Sequence, residues 1–360
     1  MLTMLLIHLL LLPAAGVAGW RIHRGPVGQR LAEVALGVAA CGLIVVGVAI
    51  VALDVGPVFF GMLQALAWIL FAYLPALLLV GAVKTPGGPL RWASVLVALL
   101  LVSIGIDAVF IEPFNLQERR ATLAVKGLSQ PTRVVLLADI QTHKVGVHER
   151  RALQLAADAE PDLLLFAGDY IQAEDATEVA LQRARLSEAL VQSGLEARHG
   201  AFAVQGDVDR PGWPEAFAGT QVVSSEKPVV VVGAGELRLV MLDLDTSRAP
   251  LDPAILDPED DRPTIILGHR PDYSIGLPDA GPEVVMLAGH THGGQVRVPG
   301  IGPLVTFSHV PREQARGIST LPGGAQLVVS AGVGLERSTA PRLRFFCPPE
   351  VWVLDLVPAP

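Results

Sequence analysis

Two histidines one residue apart, His290 and His292, are the residues whose types and spacing point most directly to chemistry. They follow the apolar run 284–287 and precede Gly293 and Gly294. At the end of an extended strand, side chains two residues apart point the same way, so both imidazoles can face one site. Neutral imidazole is a common metal ligand, and glycine lets the backbone approach closely. On spacing alone, a metal site and two polar residues on a solvated turn both stay open.

The other candidate ligands also follow apolar runs that are typical of buried strands. Three runs end in a carboxylate, a fourth ends in histidine, and an amide lies two residues after the first carboxylate; these residues are Asp139, Gln141, Asp169, Asp207 and His269. In sheets built from strand–helix–strand units, the functional crevice lies beyond the carboxyl ends of the strands. With the two histidines, this oxygen and nitrogen set is too large for one tetrahedral ion. It suits two divalent cations such as manganese, iron or zinc, which can clamp a phosphoryl group and activate a water.

The elements that must position these residues are strands alternating with helices. Helical periodicity covers 147–159 and Thr177–Ser193, between the three strands that end in acids. From Val222 to Leu242 the pattern changes to β-hairpins, and Leu327–Ser330 and Val351–Leu356 close the chain as strands. This order predicts an α/β domain over 133–360 with two packed sheets and helices outside.

The first 112 residues have a different composition. The whole chain is 51% hydrophobic and 17% charged, with a mean hydropathy of +0.48, which is too apolar for an ordinary soluble protein. Four apolar segments have about the length that crosses a bilayer: Leu2–Gly19, Leu31–Leu53, Val58–Val83 and Leu90–Ile111. We therefore predict an all-α transmembrane region of about four helices over 1–112, and a juxtamembrane linker over 113–132 with an edge strand at Ala121–Val125.

The loops between these segments predict the orientation. Arginines and a lysine lie in the loops 20–30 and 84–91, whereas the loop 54–57 carries none. The positive-inside rule then places the first and third loops in the cytoplasm. We expect a multi-pass protein of the cell membrane with an extracytoplasmic C-terminal domain, although Arg119 and Arg120 favour the opposite orientation.

The charge balance narrows the class of partner. Residues 1–112 hold five basic and four acidic residues, so the remainder carries a net charge of −9 within the total of −8. Nucleic-acid surfaces need a basic stripe, so an acidic C-terminal domain argues against nucleic acid as a partner. Membrane lipids are the expected partner of the N-terminal region, and the sequence indicates no protein partner.

Five short motifs carry a family resemblance. They are Asp139-x-Gln141, Gly168-Asp169, Gly206-Asp207, Gly268-His269 and the run Gly289-His290-Thr291-His292-Gly293-Gly294-Gln295. In this order and at these intervals they resemble the motifs of calcineurin-like metallophosphoesterases. The tail from Ser330 to Glu350 resembles the membrane-anchored bacterial branch of that family.

The resemblance implies a fold, an activity and a division of ligands. The fold would be an αββα sandwich of two mixed β-sheets flanked by helices. The activity would be that of a metal-dependent phosphoric ester hydrolase. The membrane anchor, rather than the resemblance, favours lipid-linked phosphoesters as substrates, and loss of the usual general acid favours a good leaving group such as a nucleotide. Two divalent metal ions are expected, manganese first and iron or zinc as alternatives. The first metal would use Asp139, Gln141, Asp169 and His292; the second would share Asp169 and add Asp207, His269 and His290.

Three positions depart from the family pattern. Gln141 stands where histidine is usual, and the third motif, usually Gly-Asn-His-Asp, has Asp207 and Val208 in place of asparagine and histidine. The second motif ends at Gln172, where an acid or asparagine is common. Because Val208 cannot donate a side-chain proton, Asp209 and His143 become the candidate catalytic acids. Arg312, Arg316 and Arg337 are candidate phosphate partners by charge. The departures also leave open a second function, that of a degenerate family member acting as a metal- or ligand-binding sensor or scaffold.

Overall fold

The computed structural model describes residues 56–256 and 260–359, which divide into two compact units. One unit ends at Ile111 and includes Glu336–Arg342, and the other comprises Glu112–Leu335 and Leu343–Pro360. The first two apolar segments predicted from the sequence, Leu2–Gly19 and Leu31–Leu53, lie outside the described residues.

The part of the N-terminal unit that the structure describes contains two long apolar helices. The first helix is built from α1, a π-helical turn and α2, and the second from α3 and a further π-helical turn; their bounds are α1 Gly56–Trp68, Ile69–Tyr73, α2 Leu74–Lys84, α3 Pro89–Ile106 and Asp107–Ile111. Continuous helix over Phe59–Lys84 and over Pro89–Phe114 gives 26 residues each, long and apolar enough to cross a bilayer. These helices correspond to the third and fourth predicted segments.

The C-terminal unit has two six-stranded mixed sheets and a small two-stranded sheet. The strands are β1 Gln117–Val125, β2 Thr132–Leu137, β3 Leu163–Phe166, β4 Ala201–Ala203, β5 Val222–Ser224, β6 Val229–Ala234, β7 Leu237–Leu242, β8 Thr264–Leu267, β9 Val284–Ala288, β10 Arg297–Val298, β11 Gly302–Pro303, β12 Gly317–Thr320, β13 Gln326–Val329 and β14 Glu350–Pro358. The helices are α4 Val147–Asp158, α5 Ala176–Ser193 and α6 Leu244–Ser247, with 3₁₀ turns at Glu112–Phe114, Trp213–Phe217, Pro253–Ile255, Pro271–Gly276, His292–Gly294 and Arg312–Gln314.

The first sheet has the order β1-β14-β2-β3-β4-β5, and the second has the order β12-β13-β9-β8-β7-β6. Strands β2, β3 and β4 are parallel neighbours, and so are β8 and β9. Their carboxyl ends therefore meet at one edge of each sheet, and the loops that leave those ends carry all seven predicted ligands. The two mixed sheets predicted from the sequence are confirmed.

The strands nearest the centre are apolar on both faces because each face meets a separate core. Leu136 and Leu165 point between the sheets and pack with Leu287 of the second sheet. Leu137 and Phe166 point outward and pack beneath α4 and α5. Full burial on both faces explains why β2 and β3 read as unbroken apolar runs rather than as alternating strands.

Helix α5 has clear start and stop signals. The Asp175 side chain accepts the Glu178 backbone N–H at 2.8 Å and caps the first turn. The helix ends at Gly194, whose φ of 64° lies in the left-handed region that favours glycine. On the opposite side of the sandwich, short elements cover the second sheet. Tyr273 of the turn Pro271–Gly276 packs there against β7, β8 and β9.

One strand pairs differently from the sequence-based expectation, and another has a pairing for which no expectation was stated. Val222–Ser224 does not form a hairpin with β6, the next strand in the chain; it pairs parallel to β4 and ends the first sheet. Strand β14 returns to the first sheet, where it lies between β1 and β2, parallel to one and antiparallel to the other. Local apolar patterns identify strands but not distant partners, so neither pairing could be predicted from the sequence.

Candidate metal centre

The predicted ligands converge in space. Candidate ligand atoms of Asp139, Asp169 and His269 lie within 4.8 Å of one another, and so do those of Asp207, His269 and His290. The Nε2 atom of His269 is 3.5 Å from Asp169 Oδ2 and 3.2 Å from Asp207 Oδ2. These groups come from loops that are far apart in the chain, so the sandwich fold itself brings them together.

Two further ligands lie beside this cluster. His292 Nε2 is 3.9 Å from Asp139 Oδ1. Gln141 is fully buried and donates its Nε2 to Gln172 Oε1 at 3.1 Å. That hydrogen bond uses the amide nitrogen of Gln141 and not its oxygen, which is the atom able to bind a cation.

The backbone is strained at most of the ligands. Five of the seven have positive φ although none is glycine: Asp139 (47°), Gln141 (33°), Asp169 (56°), His290 (69°) and His292 (48°). Residues with a Cβ atom rarely occupy this left-handed region, and each costs of the order of 1 kcal/mol or more. Such strain is typical of positions where side-chain direction matters more than local stability.

Backbone hydrogen bonds hold the ligand loops to one another. The Val208 N–H donates to Asp169 Oδ1 at 2.8 Å, and the His290 N–H donates to Asp139 Oδ1 at 2.9 Å. Each bond joins a predicted ligand carboxylate to a loop from a different strand, so the carboxylates are oriented by the protein before any metal ion binds. Val208 thus contributes through its main chain, although its side chain lacks the proton donor usual at this position.

Two glycines allow these loops to approach. A Cβ atom on Gly206 would lie 2.2 Å from the Asp169 backbone nitrogen, and one on Gly289 would lie 2.4 Å from Asp139 Oδ2. Neither distance is compatible with a side chain. The glycine that precedes Asp207 and the one that precedes His290 are therefore required by packing between loops.

Both histidines of the second ligand group are oriented by a carbonyl. His269 Nδ1 lies 2.7 Å from the Ala167 carbonyl oxygen, and His290 Nε2 lies 2.9 Å from that of Phe307. A ring nitrogen facing a carbonyl must donate, so the other nitrogen of each ring is presented to the carboxylates. Metal-binding histidines are usually held in this way, with one N–H donated to a carbonyl or carboxylate.

The electrostatics favour a cation. Burial raises the pKa of Asp139 to about 7 and that of Asp169 well above its usual range. Burial lowers the pKa of His269, but the charges of Asp169 and Asp207 outweigh it and raise the pKa to about 10. Burial also raises the pKa of Asp207, but hydrogen bonds from His269 and His290 hold it well below its usual range. Buried carboxylates placed side by side need positive charge, and the donor set of carboxylates and imidazoles fits divalent cations.

The group common to both clusters is His269, whereas the family resemblance predicts Asp169 as the shared ligand. The Nε2 atom of His269 lies near the carboxylates of both Asp169 and Asp207, which accounts for its place in both clusters. The division of ligands between two metals stays a prediction, as does the identity of the metal.

The two candidate catalytic acids lie in different settings. Asp209 is buried, and its carboxylate accepts backbone N–H groups of Asp169, Tyr170 and Gly206, each at 2.8 Å. These contacts give Asp209 a positioning role behind the ligand loops. His143 is exposed on the loop between β2 and α4. The catalytic role predicted for each stays a prediction.

Sequence reasoning missed two arginines at the centre. Arg270 Nη2 and Arg248 Nη2 each lie 2.8 Å from Asp207 Oδ1. Arg270 directly follows the predicted ligand His269, so its position in the sequence could have identified it. Arg248 is 41 residues from Asp207, and no sequence pattern indicated that the two would meet. Of the arginines that were predicted as phosphate partners, Arg316 instead pairs with the buried Glu350.

Comparison with known proteins agrees with this geometry. No family model matches the chain. Phosphodiesterase YaeI of Escherichia coli is 30% identical over 283 residues, which cover 74% of this chain and 98% of YaeI. The uncharacterized metallophosphoesterase YkuE of Bacillus subtilis is 29% identical over 212 residues, covering 55% of this chain and 69% of YkuE. An uncharacterized metallophosphoesterase of Helicobacter pylori is 25% identical over 247 residues, which cover 64% of this chain and 61% of the relative. The chain belongs to the calcineurin-like metallophosphoesterase family and is a metal-dependent phosphoester hydrolase.

Proposed function

We propose that the protein is a membrane-anchored phosphodiesterase with a two-metal centre and an extracytoplasmic catalytic domain. The ligands would be the seven residues at the strand ends: Asp139, Gln141, Asp169, Asp207, His269, His290 and His292. The observation that carries the proposal is the convergence of three carboxylates on His269, with strained backbone at five of the seven positions.

The chemistry divides between the cations and the chain. Divalent cations supply Lewis acidity, which polarises a phosphoryl oxygen and makes water a better nucleophile at neutral pH. The chain fixes the carboxylates and orients the imidazoles through carbonyl partners. It also holds Asp207, one of the proposed ligands, between the guanidinium groups of Arg270 and Arg248.

A diester substrate is supported by the name of YaeI, the relative whose length this chain covers almost completely. A lipid-linked or nucleotide-type ester fits an enzyme held at a membrane. Membrane anchoring is supported by the two long apolar helices, on which Val83, Leu96, Leu100 and Phe110 are each at least half exposed. A soluble unit of this size would not expose so continuous an apolar surface.

The test uses the full chain purified in detergent. Bound metal is measured by elemental analysis, and hydrolysis of bis-p-nitrophenyl phosphate is compared with that of p-nitrophenyl phosphate in the presence of manganese, iron or zinc. We expect two metal ions per chain and faster hydrolysis of the diester. A panel of nucleotide and phospholipid diesters then narrows the substrate.

Asp169→Asn is the decisive variant because Asp169 lies within the ligand cluster. We expect activity to fall roughly 10²-fold or more, with fewer metal ions bound. Asp175→Asn is the matched control, since Asp175 caps α5 away from the centre and asparagine caps equally well. Full activity in Asp169→Asn would contradict the site. Stoichiometric metal with no hydrolysis of any ester would favour the sensor or scaffold function.

A further inference from the structure

Asp207 is the most heavily contacted carboxylate of the centre. Its Oδ2 atom lies 2.7 Å from His290 Nδ1 and 3.2 Å from His269 Nε2. Arg270 forms a fork on the same carboxylate, with Nη2 at 2.8 Å from Oδ1 and Nε at 3.0 Å from Oδ2. Arg248 Nη2 adds a further contact to Oδ1 at 2.8 Å.

The two arginines come from separate elements of the second sheet. Arg270 follows β8 and its ligand His269, and Arg248 directly follows α6 at the end of β7. Asp245 lies 3.1 Å from Arg248 Nη1, so the cluster holds two carboxylates and two guanidinium groups. Their formal charges sum to zero. An aspartate that would otherwise add a full negative charge to the centre is therefore balanced locally.

The charge balance at Asp207 matters because the proposed substrate is negatively charged. A phosphodiester is an anion, and further negative charge develops on its phosphoryl oxygens as the reaction proceeds. An uncompensated carboxylate at this position would attract a divalent cation more strongly and repel the phosphoryl group. The family pattern has a neutral asparagine here, which carries no such charge.

We propose that Arg248 and Arg270 are positioning residues that neutralise Asp207, so that it serves the centre as a neutral ligand would. The role rests on the proposed two-metal function, since it assigns the arginines to a ligand of that centre. The arginines act through Asp207: they offset its charge and fix its orientation, and they do so with the bidentate geometry that guanidinium forms with carboxylate.

The test is Arg270→Met in the full chain, which keeps the side chain's bulk and removes its charge. The binding constant of manganese is measured by calorimetry, and the KM for bis-p-nitrophenyl phosphate and the Ki of inorganic phosphate are measured separately. We expect manganese to bind more tightly, whereas KM and Ki both rise roughly tenfold. Changes of opposite sign distinguish charge compensation from structural damage, which would weaken both. Arg248→Met is expected to shift the same quantities in the same directions by less, because Arg248 is shared with Asp245.

A second background tests whether the arginines act through Asp207. In Asp207→Asn the ligand is already neutral, so adding Arg270→Met should change KM and Ki by less than about twofold. Arg262→Met is the control: Arg262 pairs with Asp260 before β8 begins, at the opposite end of that strand from His269. It should leave all three quantities unchanged.

Two outcomes would overturn the inference while the proposed function survives. One is weaker manganese binding together with weaker substrate binding in Arg270→Met. The other is an equally large rise in KM in the Asp207 and Asp207→Asn backgrounds, which would make Arg270 a direct substrate contact. A wild-type chain that binds no divalent cation would instead overturn the two-metal function and this inference together.

Discussion

At the scale of single residues, the centre combines two kinds of carboxylate. Asp139 and Asp169 are buried, with pKa values raised by that burial, whereas Asp207 has histidine and arginine partners that keep it ionised. Asp209 is a third kind, because both of its oxygens accept main-chain hydrogen bonds from the ligand loops. Residue type alone does not separate these roles; their partners do.

Asp209→Asn tests whether Asp209 positions the loops or supplies a proton. In the variant, an amide NH₂ would face at least one of the backbone N–H groups that the carboxylate now accepts. Leaving a buried donor without its acceptor costs about 1–3 kcal/mol. We expect a lower melting temperature and weaker manganese binding together with reduced activity. Thermal unfolding and calorimetry measure these changes, and Asp175→Asn should show neither.

A catalytic acid would give a different result for the same variant. Stability and metal affinity would stay at the wild-type level, and kcat would fall with loss of one limb of its pH profile. That combination would contradict the positioning role and restore the prediction made from the sequence.

Asp169, whose pKa is also raised, contributes to the pH dependence of the metal-free protein together with Asp139 and His269. Asp139 and His269 have pKa values raised by folding, to about 7 and about 10, so the folded state binds more protons than the unfolded state between the unfolded and folded values. Stability must then fall as pH rises, from about 4 to 7 for Asp139 and from about 6.5 to 10 for His269, by about 1.4 kcal/mol per pH unit for each proton. With EDTA, the melting temperature should drop by several degrees between pH 6 and pH 8.

Bound cations replace those protons, so the stabilisation by manganese should widen over the same interval. Differential scanning fluorimetry with manganese and with EDTA measures it. His269→Gln removes the positive charge that lowers the pKa of Asp139 and of Asp169, so the fall in metal-free stability should move to higher pH. If the difference in melting temperature between the manganese and EDTA samples stays constant or narrows as pH rises, Asp139 and His269 do not bind the metal.

At the scale of elements, the sequence predicted the strands and the residues that follow them. The runs before Asp139, Asp169 and His269 are apolar on both faces, so the burial of these strands and the positions of their ends could be predicted. The pairing of strands could not, because β14 pairs with β1 across more than 200 residues and no local pattern specifies that pairing. The strained φ values and the two arginines on Asp207 also depend on contacts between distant loops.

Glu350, at the start of β14, ties the two sheets together beside the centre. It is fully buried and accepts the Ala331 N–H and the Trp352 indole N–H, each at 2.9 Å, as well as Arg316. The loop it holds contacts a ligand, since the Gly334 N–H donates to the Asp139 carbonyl at 2.7 Å. The start of the family-like tail from Ser330 to Glu350 therefore supports the loop of Asp139, the first predicted ligand.

Glu350→Gln should therefore be strongly destabilising. It leaves the partly buried Arg316 without the counter-charge of Glu350; breaking a fully buried pair in this way costs about 3–5 kcal/mol, and the partial exposure of Arg316 lowers that cost. We expect a large drop in melting temperature and lower metal retention, both measured on the purified chain. Glu118→Gln is the control, because Glu118 pairs with Arg120 at the surface, where such pairs contribute roughly 0–1 kcal/mol. Similar effects from both variants would refute a special role for Glu350.

At the scale of the whole molecule, the two apolar helices predict on which side of the membrane the phosphoesterase works. A short connection, Thr85–Gly88, joins them, and Lys84 and Arg91 flank it. Positive charge in a short loop is retained in the cytoplasm. Because the second helix then crosses outward, everything after Phe114 should lie outside the cytoplasm. Arg119 and Arg120 follow closely and favour the opposite orientation. The measured orientation therefore shows whether Lys84 and Arg91 or Arg119 and Arg120 determine the topology.

Reporter fusions measure this directly. Alkaline phosphatase, active only after export, should be active when fused after residue 360 and inactive when fused within Thr85–Gly88; a cytoplasmic fluorescent reporter should give the reverse pattern. Replacing Lys84 and Arg91 with glutamine should raise the fraction of molecules in the opposite orientation, because it removes the only positive charges near that loop. Replacing Arg119 and Arg120 should not. If the C-terminal alkaline phosphatase is inactive in the wild type, the active centre faces the cytoplasm and its substrate must be a cytoplasmic phosphoester.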